Sequence, residues 1–152
     1  MKIRCHTIRL QAESKLQFID ITERVKEMIR NSKVKNGIVN IASKHTTTAI
    51  LLNENEPLLL EDFRKHIKDL FYNYLPGYYQ HDDLQLRRKL RQNLPRDECQ
   101  NAASHCCSIF LANFQVLNIK NGNLDLGRWQ RIIFVELDRP KEREISIMIL
   151  GE

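Results

Sequence analysis

The chain has 152 residues, 42% of them hydrophobic, and carries 24 Lys and Arg against 19 Asp and Glu. This length can bury one hydrophobic core and is too short for two comfortable domains, so we expect a single domain over residues 1–152. No stretch approaches the roughly eighteen apolar residues of a membrane span, and the N-terminus lacks the apolar run of a secretory signal, so we expect a cytoplasmic protein with no membrane partner.

Periodicity divides the first half of the chain into strands and helices. Alternating polar and apolar residues predict strands, whereas Asp20 with Glu23, and Pro57 before an apolar 3.6-residue repeat, are typical of helix starts. The predicted elements are strands at 2–11, 16–19, 38–43 and 47–52 and helices at 20–31 and 57–73. We expect the second strand to return antiparallel to the first, and the order of the elements places His45 at a strand junction.

The second half begins with a long, charged and partly helical surface connection over residues 78–98, a length that is more often functional or mobile than idle. A helix over 99–112 should bury Ala102, Cys106, Ile109 and Phe110, and strands follow at 114–119, 129–137 and 144–150. The last two strands predict a hairpin across 138–143. The cysteines (Cys5, Cys99, Cys106 and Cys107) show no C-x-x-C spacing, so we expect buried small hydrophobic side chains rather than disulfides or a zinc knuckle.

The polar run around His45 interrupts the alternation expected of a purely structural strand. His45 is followed by Thr46, Thr47 and Thr48, and Asn53 and Glu54 stand at the end of the same apolar stretch. An imidazole can be a metal ligand, a general base or a phosphate donor, and adjacent hydroxyls can orient it or hold phosphate oxygens. The alternative is structural: a histidine can cap a strand, and acidic side chains such as Glu54 are favourable near a helix N-terminus.

Two further polar clusters point to the same kind of chemistry. One is His81 with two aspartates after it, and the other is Asn101 with His105, which lie four apart on one helix face. Glu136 is a carboxylate within an apolar strand and needs a partner, either a ligand or Arg143 across the hairpin.

A basic cluster lies between the second and third histidines. A solvated helix or loop explains it better than a nucleic-acid contact, because it lacks interleaved aromatic residues and matches no nucleic-acid-binding motif. Its members are Arg87, Arg88, Lys89, Arg91 and Arg96.

Several motifs, in order along nearly the whole chain, resemble the YjbQ family, also called UPF0047 and often labelled secondary thiamine-phosphate synthase. They are the run from His45 through Glu54 to Asp62, Tyr79-x-His81, Asn101-Ala102-x-x-His105, Gly122 through Trp129-Gln130, and Ile149-Leu150-Gly151. The resemblance implies a single α+β domain with a mixed, mostly antiparallel, sandwich-like β-sheet framework, flanking helices and a homotrimeric assembly. It also implies an activity that joins a pyrimidine pyrophosphate to a thiazole phosphate.

The family's polar residues carry over to His45, Glu54, His81, Asn101 and His105, with Trp129, Gln130 and Glu136 nearby. They imply a pocket for a divalent metal or a phosphorylated small molecule. Three imidazoles favour zinc, whereas pyrophosphate displacement favours magnesium held by carboxylates and substrate oxygens. The leading hypothesis is an enzyme in which His45, His81 and His105 converge on a metal or on the substrate, which Thr46 and Thr47 also contact. The alternative is a non-catalytic trimer that binds a metabolite or metal.

The chain departs from the family pattern at two places. An insertion-like basic segment spans residues 84–96, where it could cover the pocket and alter substrate choice. Residues 138–141 replace a glycine-containing turn, a change that we expect to affect only the hairpin.

Overall fold

Eight strands form two antiparallel sheets in a computed structural model that describes residues 1–90, 94–95 and 97–152. The strands are β1 (Lys2–Ala12), β2 (Gln17–Asp20), β3 (Gly37–Ser43), β4 (Thr48–Asn53), β5 (Phe114–Lys120), β6 (Asn123–Leu124), β7 (Arg131–Glu136) and β8 (Lys141–Gly151). The helices are α1 (Thr22–Ser32), α2 (Pro57–Ile67), α3 (Leu84–Leu90) and α4 (Ala102–Leu111). This architecture confirms the predicted α+β class. None of the described helices is long and apolar enough to span a membrane.

The five-stranded sheet has the order β1-β8-β3-β5-β6, and the three-stranded sheet has the order β2-β7-β4. Two predicted pairings are therefore wrong. Strand β2 pairs with β7 instead of returning along β1, and β7 and β8 form no hairpin because they belong to different sheets. An alternating or apolar run identifies a strand but does not identify the strand with which it pairs.

The apolar run of β7 is explained by its position at the centre of the three-stranded sheet, where both of its faces are covered. Ile132 and Phe134 pack into a core shared with the five-stranded sheet and α1. Ile133 and Val135 pack on the other side with side chains of α2 and α4. The molecule is thus layered as five-stranded sheet, three-stranded sheet and helices, with hydrophobic cores on both sides of β7.

Helix α4 starts later than predicted and buries a different set of side chains. Its buried residues are Ala102, Ser104 and Cys107, whereas Ile109 and Phe110 are 79% and 73% exposed. Only Ala102 of the predicted inward face is buried, because the helix turns the 104 and 107 positions toward the sheet. Only Cys107 of the four free cysteines is buried.

Helix α2 begins as predicted, with Pro57 in its first turn. Glu56 accepts hydrogen bonds from the backbone N–H groups of Leu58 and Leu59, so the capping role of an acidic residue at this helix start is confirmed. The helix changes at Lys68 to a π-helical turn, Lys68–Tyr72, which leads into the tyrosine-rich segment before α3.

Candidate functional site

A cavity of about 440 Å³ opens where β3 ends, β4 begins and the chain passes from β7 to β8. Six residues predicted from the sequence line it: His45, Thr46, Thr47, His81, Asn101 and His105. The other lining residues are Lys44, Arg87, Pro95, Asp97, Glu98, Cys99, Asp138, Arg139, Lys141 and Arg143. Three segments far apart in sequence thus bring three imidazoles to one cavity.

His45 is held at the β3–β4 junction by local hydrogen bonds. Its backbone N–H donates to the Ser43 side chain, and its carbonyl accepts from the Thr48 hydroxyl. Its Nε2 accepts a hydrogen bond of 2.9 Å from the backbone N–H of Glu144. Burial, followed by the charge of Arg143, lowers the pKa of His45, so the ring is neutral near pH 7 and carries its proton on Nδ1.

Arg143 forms part of the cavity wall and is bound from behind by Glu136. Its Nε lies 2.5 Å from Oε2 of Glu136, and its Nη2 lies 2.7 Å from Oε1. Both residues are buried, with exposures of 4% and 0%, and Glu136 also accepts the backbone N–H of Asp138. Glu136 does not line the cavity, so its contact with Arg143 matches the ion-pair alternative considered from the sequence.

His81 and His105 lie edge to face, with ring centroids 5.0 Å apart. The backbone N–H of Ala102 donates to Asp82, which ties the turn containing His81 to the start of α4. Burial, followed by the charge of His81, lowers the pKa of His105. Within the described part of the chain, Nε2 of His81 and Oδ1 of Asn101 are buried and have no hydrogen-bond partner.

The cavity is richer in positive than in negative side chains. Five lysines and arginines line it against three carboxylates, an excess of two positive charges when the histidines are neutral. Arg87 pairs with Glu98 at 3.3 Å, and Arg139 lies within 4 Å of Asp97 and Asp138. Arg143 and Lys44 are also paired, with Glu136 and Glu144, but these two carboxylates do not line the cavity. The cavity wall itself therefore presents more cations than carboxylates, which favours an anionic ligand.

The link between β7 and β8 and the first residue of β8 contribute cavity-lining residues that were not predicted from the sequence. Asp138, Arg139 and Lys141 line the cavity, which corrects the expectation that residues 138–141 alter only a hairpin. The available signal was three basic residues, at 139, 141 and 143, following a carboxylate in an apolar strand. In the basic cluster Arg87 also reaches the cavity, whereas Arg91 and Arg96 lie outside the described residues.

Three other predicted site residues lie at the opposite end of the three-stranded sheet. Glu54 follows the last residue of β4, and Gln130 precedes the first residue of β7; the two strands pair from Thr48 with Glu136 to Asn53 with Arg131. The two ends of β4 are therefore five residue steps apart, or about 16 Å. Trp129 is 61% exposed there, and Gln130 accepts the backbone N–H of Gly127. A single chain does not bring these residues to the cavity.

The three imidazoles do not form a ready metal centre. Among the described residues, no three His, Cys, Asp or Glu side chains are grouped so that they could hold a metal ion together. Nε2 of His45 already accepts a backbone hydrogen bond, so in the neutral ring its other nitrogen bears a proton and is not a free ligand. This arrangement does not fit a three-histidine zinc or magnesium site, and the metal stays a prediction.

Comparison with known proteins gives one consistent relationship. The family described as "UPF0047 protein YjbQ-like" matches residues 6–152. A UPF0047 protein of Methanothermobacter thermautotrophicus is 32% identical over 154 aligned residues, covering 100% of this chain and 95% of that protein. A YbjQ-like protein of unknown function from Sulfolobus solfataricus has a solved structure that matches with a TM-score of 0.82 and 33% identity, covering 99% of both chains.

A second solved structure agrees. The hypothetical protein APE1520 of Aeropyrum pernix matches with a TM-score of 0.83 and 32% identity, covering 98% of this chain and 99% of that one. Sequence motifs, the family match and the fold therefore lead to the same conclusion. The chain belongs to the YjbQ-like UPF0047 family.

Proposed function

We propose that the cavity binds the phosphate group of a phosphorylated small molecule and that the protein is an enzyme acting on that molecule. The observation that carries the proposal is the buried guanidinium of Arg143 in the wall of a cavity lined by more cationic than anionic side chains. A planar guanidinium matches the oxygens of a phosphate better than any other side chain does.

Arg143 retains the capacity to bind an anion while it pairs with Glu136. Its Nε and Nη2 donate to the carboxylate, with a longer contact of 3.4 Å from Nη2 to Thr47. Among the described residues its Nη1 donates to no acceptor. Glu136 thus holds the guanidinium in position and leaves donors directed elsewhere, which would suit a phosphate oxygen in the cavity.

His45 would supply a second donor. Because its Nε2 accepts from Glu144, its Nδ1–H is the group available to a ligand. A neutral N–H donor suits an anion, whereas a metal ion needs a free lone pair. The donor set therefore supports phosphate over metal as the primary ligand.

His81 and His105 would supply acid–base chemistry beside the bound phosphate. The pKa of His105 lies below its ordinary value, so near pH 7 the ring is neutral and able to accept a proton. A neighbouring imidazole 5.0 Å away by ring centroids could take that proton further. The transferase activity implied by the family label, in which a thiazole phosphate displaces pyrophosphate, belongs to this class of phosphorylated substrate.

We also propose that the protein is a homotrimer. The outer face of the five-stranded sheet carries exposed apolar side chains that none of the described helices covers, including Ile3, Ile38, Phe114, Val116 and Met148. Light scattering during size-exclusion chromatography should give three times the 18.0 kDa chain mass, and Val116→Lys should lower that mass. A monomeric mass for the unmodified protein would contradict the assembly.

The phosphate proposal is tested by calorimetric titration of inorganic phosphate and pyrophosphate into the intact protein and three variants. Gln can place an amide oxygen near Nε2 of histidine, so His45→Gln keeps an acceptor for Glu144 and removes the Nδ1 donor. We expect His45→Gln to weaken phosphate binding about tenfold or more, because hydrogen bonds to charged groups contribute roughly 1.5–3 kcal/mol. His105→Gln changes a lining residue whose proposed role is acid–base chemistry, so it should weaken phosphate binding less.

The matched control is His66→Gln, since His66 is exposed on α2 and does not line the cavity. It should bind phosphate as the unmodified protein does. If phosphate does not bind, or if all three variants bind it equally, the proposal is wrong. Elemental analysis of the purified protein tests the metal hypothesis. A metal ion that is present at one per chain in the unmodified protein and absent from His45→Gln would favour metal binding instead.

A further inference from the structure

A second cavity, of about 310 Å³, lies beside the histidine cavity and differs from it in chemistry. We call it the tyrosine pocket, because Tyr72, Tyr74, Tyr78 and Tyr79 line it together with Lys15 and Asn101. Asn101 lines both cavities. None of these tyrosines was predicted as a site residue, and the proposed phosphate site does not use them.

The tyrosines present flat surfaces in fixed positions. Tyr74 and Tyr78 are stacked, with ring centroids 4.0 Å apart and an interplanar angle of 9°, and Tyr79 lies edge-on to both. The hydroxyls of Tyr74 and Tyr79 donate to the carbonyls of Leu70 and Phe71, which anchors the rings to the end of the preceding helical segment. Tyr74 and Tyr78 nevertheless remain 43% and 59% exposed, so ring surface is available for a ligand.

Lys15 adds a cation to the pocket. Its Nζ lies 4.0 Å from the centroid of the Tyr72 ring, and the Tyr72 hydroxyl donates to the carbonyl of Leu137 at 2.6 Å. A cation over an aromatic face is attracted to it, and this contact places a positive charge beside the other rings. Asp82 also lines the pocket, so the wall carries one charge of each sign, and it is the flat tyrosine surfaces that favour a planar group over an aliphatic one.

Asn101 connects this pocket to the phosphate site through an unused acceptor. Its Oδ1 is buried and accepts no hydrogen bond from any described residue. An unsatisfied buried acceptor is costly, and a ligand that donates an N–H or O–H to it would remove that cost. Because Asn101 lines both cavities, they share part of one wall, and this is the reason for assigning them to one ligand.

We infer that the tyrosine pocket is a subsite for a flat aromatic or heteroaromatic ring bearing an N–H or O–H donor, on the same ligand whose phosphate occupies the histidine cavity. The ring would lie against the Tyr74 and Tyr78 surface, and its donor would bond Oδ1 of Asn101. This inference rests on the proposed function and assigns the ring of its ligand to the tyrosine pocket.

The test compares phosphate monoesters that differ only in their ring. Phenyl and cyclohexyl esters with linkers of one, two and three methylenes are titrated by calorimetry, with inorganic phosphate alongside. We expect at least one phenyl ester to bind about fivefold or more tightly than its cyclohexyl counterpart, because stacking on tyrosine requires a flat ring. An amino group on that phenyl ring should tighten binding further, and Asn101→Ala should remove this additional gain.

Tyr78→Ser is the decisive variant, because the Tyr78 side chain is exposed and donates no hydrogen bond to a described residue. It should remove the phenyl preference and leave the affinity for inorganic phosphate unchanged. Trp129→Ala, which removes an exposed aromatic ring that lines neither cavity, is the matched control and should keep the preference. If inorganic phosphate binds but phenyl and cyclohexyl esters bind equally, the subsite is wrong and the proposed function stands. If inorganic phosphate does not bind, both are wrong.

Discussion

The two ends of the three-stranded sheet differ although both carry residues predicted for one site. At the cavity end, Glu136 is fully buried against Arg143, and His45 lies beside them. At the far end, Trp129 is exposed, and Arg131 forms a partly exposed ion pair with Asp20, with side-chain exposures of 34% and 19%. Polar residues that follow one another along a strand can be separated by the length of that strand, so their order in the sequence does not establish that they share a site.

The Glu136–Arg143 and Asp20–Arg131 ion pairs allow a direct comparison of the two ends. Each joins a carboxylate to a guanidinium, but only the Glu136–Arg143 pair is fully buried. Glu136→Gln would leave the Arg143 charge buried without its partner, and we expect the free energy of unfolding to fall by about 3–5 kcal/mol. Asp20→Asn at the far end keeps an oxygen for the Thr22 backbone N–H and should cost at most about 1 kcal/mol. Urea denaturation of both variants measures the difference, and equal losses would contradict the contrast between the two ends.

A double substitution separates the structural role of the buried pair from its binding role. Replacing both Glu136 and Arg143 by apolar residues, as Glu136→Leu with Arg143→Met, removes both charges at once and should recover most of the stability that Glu136→Gln loses. Phosphate affinity should still fall about tenfold or more, since the guanidinium is gone. A folded double variant that binds phosphate as well as the unmodified protein would show that Arg143 does not contact the ligand.

The sequence predicted the elements and the polar clusters better than it predicted how they meet. The Asn36-Gly37 turn and the apolar runs after it located the strands on either side of His45, and His105 lines the same cavity as His45. The β7–β8 hairpin was wrong because a two-residue period identifies which residues share a face of a strand but not its neighbour. Arg139 lies in the link between β7 and β8 and Lys141 is the first residue of β8; both were missed because charged residues are ordinary at such positions, and only the fold brings them to the histidines.

Acidity should affect the cavity end and leave the far end unchanged. The pKa values of His45 and His105 are lowered, so below the ordinary value of 6.5 the unfolded chain takes up protons more readily than the folded protein. The unfolding free energy should therefore fall as the pH decreases from 6.5 through the lowered values, and His105→Gln should reduce this slope. Thermal denaturation between pH 7.5 and 5 measures it.

The affinity of the cavity for an anion should rise over the pH range in which the unfolding free energy falls. Sulfate keeps its charge, so any change in its affinity reports the protein. Once the imidazoles become protonated the cavity gains positive charge, and sulfate should bind several-fold more tightly at pH 5.5 than at pH 7.5. His45→Gln should reduce this gain, whereas His66→Gln should not. An affinity independent of pH would contradict the placement of these histidines at the anion.

The smallest expected effect concerns the far end itself. Glu54→Gln and Trp129→Ala should change the unfolding free energy by no more than about 0.5 kcal/mol and leave phosphate affinity unchanged, because neither residue reaches the cavity of its own chain. Calorimetric titration of phosphate checks this. If Trp129→Ala weakens binding, the ring must reach the cavity of another copy. Mixing Trp129→Ala with His45→Gln should then restore full affinity in part of the sites, since some assemblies would pair an intact cavity with an intact tryptophan.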